Sequence, residues 1–476
     1  MLLPLSLPFF LKPLKTIEKP FETIGFSSTP PLAPFDKKTT MLEKYFLVFF
    51  LCSFAARAEN KEALSPAPDA SSSQVEAQEL SLEEILAYAE QHSPALLLAQ
   101  SARLRAEASY VAASPLLPSN PELTLAAGPL FGRAGTGLGL NASLMQQIYI
   151  AGERGLHMAN ANQNLQLAQA EIQQAHWEVS CDIREAFYAA LLADEHLKLA
   201  ERILSFHSEV LRVVERQISI GETSPLSLRI AQAEVAQAQQ TLVAAQQVSL
   251  SARIQLAQLS GWPADTPPQP VGITISPLTL PRQEQLVEMA HQNLPLLQVA
   301  LAKLQEATSR LALSKRNAWP RPSLGIQYQY EGQQPHSPSS SILMGALSLP
   351  IPSFQTNQGE KARSQAELAI SQRELQAKYQ LLYGKIAQLR SEVLAAMERS
   401  RAYGADILPR FEENLHLLRR AFELGEIDIL SLSAGVKRFL EIRNDALNAQ
   451  RDYLFALINL ERNVGISISQ PNRLQP

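Results

Sequence analysis

Gly221-Glu222, followed by Leu226-Ser227-Leu228, returns later in the chain as Gly425-Glu426, followed by Leu430-Ser431-Leu432. The offset is 425 − 221 = 204, and it also relates Ile203-Leu204 to Ile407-Leu408 and Gly261 to Gly465. Earlier in the chain the offset is 201, linking Ala89 and Pro94 to Ala290 and Pro295, and Pro121-Glu122-Leu123 to Pro322-Ser323-Leu324. The slip between the two registers marks a short insertion, expected near Ser353–Gln358. Two copies of roughly 200 residues therefore fill most of the chain. Solenoid units run about 20–50 residues, so these copies are one large architecture built twice.

Working outward from the Gly-Glu turn, each copy has the same order. A short helix comes first (82–92; 282–293). Pro94 or Pro295 then opens a second helix, because proline's missing N–H has no partner to lose in a first turn. Next comes period-two alternation, the signature of a strand. Leu123, Leu125 and Ala127 alternate with Thr124 and Ala126, and Leu324, Ile326, Tyr328 and Tyr330 with Ser323, Gly325, Gln327 and Gln329. Leu138, Leu140, Ala142 and Leu144 alternate with Gly137, Gly139, Asn141 and Ser143 in a further strand. Its partner, about 341–351, has no clear face. A very long helix follows each hairpin, about 152–220 and 357–424, which at 1.5 Å per residue spans roughly 100 Å. The Gly-Glu turn then leads into a return helix. Its positions 228, 231, 235, 238, 242, 245, 249, 252, 256 and 259 follow heptad a/d spacing and are apolar but for Ser249. Stacked end to end, the return helix and the shorter second helix nearly match the long one. The pattern is a rod of antiparallel helices with a hairpin sheet at one end and a helical turn at the other.

Net charge is −4 over 476 residues, which gives no reason to expect a nucleic-acid partner. Met41-Leu42-Glu43-Lys44, the apolar run Tyr45–Phe54 and Ala56-Arg57-Ala58 read as a signal peptide over 41–58. Residues 1–40, broken by Pro4, Pro8 and Pro13, read as an extra segment upstream of a start at Met41. Leu51 is too bulky for a lipobox before Cys52. With Cys52 removed, Cys181 would be left alone, so no disulfide framework is expected. Residues 59–80 read as a disordered lead-in, 82–261 and 282–465 as the two repeats, 262–280 as a Pro-rich linker, and 466–476 as a loose tail. Beyond the signal segment no apolar run is long enough for a membrane-spanning helix.

Four strands cannot close a barrel, and an open strand edge is not viable in lipid. Three chains would supply twelve strands, enough to close one. Leu123, Leu125, Leu324, Ile326 and Tyr328 would then face lipid, with Gly and Gln facing water. Trp319, Tyr149, Tyr330 and Phe131 sit near strand ends, where an aromatic belt belongs.

This order, given twice over about residues 82–465, resembles the TolC-like outer membrane factor family. The strand exits resemble it too: Leu144-Met145-Gln146-Gln147-Ile148 then Gly152-Glu153-Arg154, and Leu347-Ser348-Leu349-Pro350-Ile351-Pro352 then Asn357-Gln358-Gly359-Glu360. The second exit is similar to that of the heavy-metal cation efflux branch. The resemblance implies a mainly α fold with a β-barrel part. Two tandem repeats of long antiparallel helices would form an α-barrel tunnel, and four strands per chain would contribute to a 12-stranded trimeric transmembrane β-barrel. It implies a homotrimer set in outer membrane lipid, a periplasmic adaptor (membrane fusion protein) and an inner-membrane pump as partners, and passive conduction of metal cations or drugs. The tips that meet the adaptor would include Gly221, Glu222, Leu226, Gly425, Glu426 and Leu430. Gate candidates near the tips are Glu209, Glu215, Arg216, Glu412, Glu413, Arg419, Arg420 and Glu423, with Arg419 or Arg420 tying the tip closed.

No reaction chemistry is visible, so the chain is not expected to be an enzyme. The histidines His92, His157, His176, His196, His207, His291, His336 and His416 form no metal-binding pair around a catalytic Glu. No phosphate-binding Gly loop and no Gly-x-Ser-x-Gly elbow occur. Neither a cofactor nor a metal site is expected. Two other readings stay open: the outer membrane duct of a type I protein secretion system, and a periplasmic coiled-coil structural protein with the strands as a soluble cap.

Overall fold

The computed structural model describes residues 79–132, 135–272, 279–333, 338–404 and 410–468, all within the unit Gln74–Pro476. The segment 1–40, the signal peptide 41–58, the lead-in before Glu79 and the tail beyond Ile468 lie outside the described residues.

Repeat one begins with strand β1 (Glu79–Leu80) and helices α1 (Leu82–His92) and α2 (Pro94–Ala113). Ser81 starts α1 with a capping box: its Oγ accepts from the Glu84 N–H while the Glu84 carboxylate accepts from the Ser81 N–H. Strands β2 (Glu122–Gly132) and β3 (Gly135–Gln147) lead to the long helix α3 (Glu153–Ser219) and the return helix α4 (Pro225–Ser260). The sequence has neither Gly nor Pro between Gly155 and Gly221, so nothing interrupts α3. The linker contributes β4 (Gln269–Pro270). Repeat two then gives α5 (Gln283–Asn293), α6 (Pro295–Arg316), β5 (Ser323–Glu331), β6 (Ser340–Ser348), α7 (Gln358–Gly404), α8 (Phe411–Glu423) and α9 (Ile429–Val464).

Two departures from the sequence reading have physical causes, at β1 and at the end of β6. The lead-in expected over 59–80 ends in β1, which pairs in parallel with β4 of the linker, Glu79 with Gln269 and Leu80 with Pro270. Two-residue strands are too short to show a period, and Leu80 is held by burial in the core. The helix expected over 357–424 is described in two parts, α7 and α8; residues 405–409 between them lie outside the described residues. The second strand of repeat two ends at Ser348 rather than near 351, and Pro350 and Pro352 lie beyond it.

The insertion between repeats sits in a strand exit. Residues 349–357 join β6 to α7, whereas 148–152 join β3 to α3. Both exits place a left-handed residue before the long helix, Gly152 at φ 74° and Asn357 at φ 58°. Both are tied to the end of the preceding short helix. The Arg154 guanidinium donates to the Ser114 carbonyl at 3.0 Å, and Asn357 Nδ2 donates to the Ser314 carbonyl at 2.9 Å.

The four long strands form one antiparallel sheet in the order β2-β3-β5-β6. The register puts Leu125, Ala142, Tyr328 and Leu343 in one cross-strand row and Leu123, Leu144 and Ile326 in the next. That register settles the face of β6, since Leu343 and Leu347 lie with Tyr328 and Leu324. Ile342 and Met344 break the alternation by lying opposite Gln329 and Gln327 on the other face.

The helices follow the same lateral order. α3 packs on α2 and α4 along one side and on α6 and α9 along the other, and α7 packs on α6 and α9. α2 and α4 thus share one position in the layer, and α6 and α9 another. The joints rest on glycine. Gly261 (φ 79°) ends α4 where an added Cβ would lie 2.1 Å from the His92 carbonyl oxygen, and Gly465 (φ 85°) ends α9 where it would lie 2.6 Å from that of Asn293. Ser93 Oγ seals the first joint by donating to the Leu259 carbonyl at 2.9 Å. The ten heptad positions of α4 are all buried or half-buried, while Val243, Val248 and Leu250 on its other side are exposed.

Two apolar cores result. The larger, here termed the belt, gathers Ile85, Cys181, Phe187, Leu286, Leu297, Ile386, Tyr453 and Leu457. The smaller, toward the Gly-Glu turns, gathers Phe206, Val210, Val214, Ala231, Leu415, Phe422, Leu432 and Val436.

Candidate functional site

The two Gly-Glu turns adopt one geometry. The Glu222 N–H donates to the Gln217 carbonyl (2.9 Å) and the Gly221 N–H to that of Ile218 (3.0 Å). The Glu426 N–H donates to the Ala421 carbonyl (2.9 Å) and the Gly425 N–H to that of Phe422 (3.0 Å). These are paired Schellman caps, which need a left-handed residue, and Gly221 and Gly425 stand at φ 80° and 76°. Each cap leaves an apolar pair in solvent: Ile220 and Leu226 in the first tip, Leu424 and Leu430 in the second. Sequence reasoning singled out the leucines after the turn and missed Ile220 and Leu424 before it, although the same offset of 424 − 220 = 204 relates them. Glu222 and Glu426 are exposed beside them.

The gate candidates divide into two sets. Glu209, Arg419 and Glu423 come together: the Arg419 guanidinium binds Glu209 of α3 and lies 3.6 Å from Glu423 of its own helix. Glu215, Arg216, Glu413 and Arg420 are exposed. The Glu412 side chain lies outside what is described. Of the two arginines considered for tying the tip, Arg419 is the one placed in an inter-helix ion pair.

Other polar links between helices escaped sequence reasoning. Ser433 Oγ of α9 donates to the Glu234 carboxylate of α4. Asp194 of α3, buried, accepts from Ser249 Oγ at 2.5 Å and from Arg253 at 2.7 Å. In the belt, Arg184 binds the fully buried Glu461, and Arg462 reaches Asp182 at 2.6 Å and Glu185 at 3.3 Å. Burial pushes the nearby Cys181 thiol up to about 12, so it is an inert core residue. Charged residues on long helices carry no local signal of their partner, so these pairs become visible only once the helices are packed.

At the other end, the sheet has the dimensions of a membrane wall. Its strands are 11, 13, 9 and 9 residues long, against about 9–11 for outer membrane strands. Leu123, Leu125, Leu324, Ile326 and Tyr328 are all solvent-exposed on one face. Tyr149 and Trp319 stand at the helix end of the sheet, Tyr149 under the Arg321 guanidinium at 5.6 Å and Trp319 under that of Arg316 at 5.8 Å. Phe131 and Tyr330 stand toward the hairpin end. Among the described residues no helix is long and apolar enough to cross a membrane, and no three His, Cys, Asp or Glu side chains group to hold a metal ion.

The outer membrane efflux protein family model matches residues 85–262 and 286–465. The chain belongs to that family. The family comprises trimeric, non-enzymatic outer membrane channels of the TolC-like type that work with efflux pumps. The cobalt-zinc-cadmium resistance protein CzcC of Cupriavidus metallidurans is 22% identical over 320 residues, covering 67% of this chain and 75% of CzcC. Among solved structures, CusC superposes with a TM-score of 0.64 at 16% identity, covering 81% of this chain and 92% of its own. The outer membrane protein VceC of Vibrio cholerae superposes with a TM-score of 0.61 at 16% identity, covering 81% and 96%.

Proposed function

We propose that three copies of this efflux protein close a twelve-stranded barrel in the outer membrane above a twelve-helix periplasmic tunnel, and that the duct passes metal cations outward. One observation carries the closure. The free edges of the sheet, β2 and β6, fall at the same ends of the lateral order as the free helix edges, α2 with α4 and α7. An edge strand in lipid needs a partner, and β6 of one copy against β2 of the next supplies it three times over. The contact is heterologous, so a ring forms because the rotation closes. The exposed Leu97, Leu98 and Leu104 of α2 and Ile370, Leu381 and Tyr383 of α7 lie on these edges and would be covered by it.

The cargo reading rests on the likeness to CzcC and on the Pro350–Gly359 exit. A tunnel wall without a tight pocket does not select cargo, so selection belongs to an inner-membrane pump reached through a periplasmic adaptor. The tips at Ile220–Leu226 and Leu424–Leu430 are the surfaces offered to that adaptor, with Arg419–Glu209 holding the resting tip together.

The test has two steps. Detergent extraction of the outer membrane fraction should yield a trimer; a soluble periplasmic monomer would sink the channel reading. Loss of the chain should then sensitise cells to cobalt, zinc or cadmium salts. Sensitivity to dyes and drugs alone would remove the metal reading while leaving the channel intact.

A further inference from the structure

α4 and α9 flank α3 from opposite sides and touch across it near the tip, where Ser433 Oγ donates to the Glu234 carboxylate. Against that bond, on α3, lies His207, only 8% exposed. Its ring stands edge-on to Phe206 at 5.7 Å. His207, Glu234 and Ser433 line one small cavity together with Val210, Ala231 and Leu432. Farther from the tip the two helices part, and a cavity of about 780 Å³ opens between them over Leu199, Ala200 and Ile203 of α3. The shape is a wedge, pinned at Glu234–Ser433 and open beyond it.

We propose that His207 is a proton-operated latch on this wedge: once protonated, its imidazolium draws the Glu234 carboxylate away from Ser433 and frees α9 from α4. The inference rests on reading the tips as the periplasmic end of a channel. The groups facing the wedge are few. Glu234 comes from α4, Lys437 from α9, and His196 and His207 from α3. Arg419 of the adjoining α8 is engaged with Glu209 and Glu423. Glu234 is thus the acidic group among the wedge's lining residues, and it is already the acceptor of the pin.

Burial holds the His207 imidazole below its usual range, and Glu234 acts in the opposite sense. A histidine freed to solvent titrates near about 6.5. The neutral, latched form is therefore at full strength above about pH 6.5 and weakens as pH falls through the lowered value. The exchange needs only a proton from water and breaks no covalent bond.

The test uses the full trimer in planar bilayers at about pH 7.5 and about pH 5, on either side of the histidine range. A parallel distance measurement places spin labels at the exposed positions Gln239 of α4 and Arg438 of α9, with Cys181 buried out of reach. The wild type should gain conductance about threefold or more at the lower pH, and the label distance should lengthen. His207→Asn should conduct at the low level at both pH values, with a fixed distance. Glu234→Gln keeps an acceptor for Ser433 but no charge to draw, and should be equally flat. A wild type that conducts alike at both pH values with an unchanged distance overturns the latch, as does a response that survives in both variants. No conductance at either pH, with the distance still lengthening through His207, overturns the channel reading and supports the latch.

Discussion

The belt and the tip are each bridged by an arginine–glutamate pair between α3 and the second repeat, in opposite surroundings. In the belt, Arg184 and Glu461 expose 7% and 0% of their side chains. Glu461 also accepts from the Ile468 N–H at 2.6 Å, and the neighbouring Arg462 carbonyl accepts from Trp177 Nε1 at 3.1 Å. At the tip, Arg419 and Glu209 expose 30% and 43%. Removing one partner of a buried pair strands a charge in low dielectric, whereas a half-exposed pair is replaced by water at little cost. The same chemistry is therefore costly to break in the belt and cheap to break at the tip.

The sharpest way to break the comparison is Glu461→Ala. It should lower stability by about 3–5 kcal/mol, read by thermal unfolding of the extracted protein, because the buried Arg184 guanidinium loses the Glu461 carboxylate. Maleimide labelling of Cys181, which is buried, should appear in the variant at a temperature where the wild type stays silent; labelling unchanged from the wild type would mean that the belt is not held by this pair. The next effect comes from glycines of matched backbone conformation. Gly261→Ala meets the His92 carbonyl and should cost more than about 2 kcal/mol, since a left-handed alanine alone costs about 1–2 kcal/mol and the joint must also shift. Gly221→Ala has the same φ with nothing within 4 Å of the added Cβ, so it should cost only that backbone strain, about 1 kcal/mol. Equal losses would show that the α2–α4 joint yields freely. The smallest stability change belongs to Arg419→Ala, at most about 1 kcal/mol. Its conductance in planar bilayers should nonetheless rise, while Arg420→Ala, which removes an exposed side chain, should not change it. Unchanged conductance in Arg419→Ala would leave that ion pair no part in closure.

Particular residues show how far the sequence could be read. Gly221, Gly425, Gly261 and Gly465 were visible because a left-handed cap selects glycine by local sterics alone. Every strand was visible by its place in the repeat, but the face of β6 was not, because Ile342 and Met344 stand on the face opposite Leu343 and Leu347. Arg419 was visible as a charge near a tip, but its pairing with Glu209 in addition to Glu423 depends on α8 meeting α3, 210 residues away in sequence. His207 looked like any other histidine on a long helix. Only the approach of α4 and α9 sets Glu234 and Ser433 beside it.

The sequence by itself determined the twofold repeat, the order of helices and hairpins, the Gly-Glu caps and the period of each strand, because all of these arise from interactions within a few turns or residues. The tertiary structure decided the β1–β4 pairing, the belt's buried ion pairs, the register that gives β6 its face, and the wedge over His207. Those depend on which long helices meet and at what height, and a charge or a two-residue strand carries no local mark of a partner some two hundred residues away.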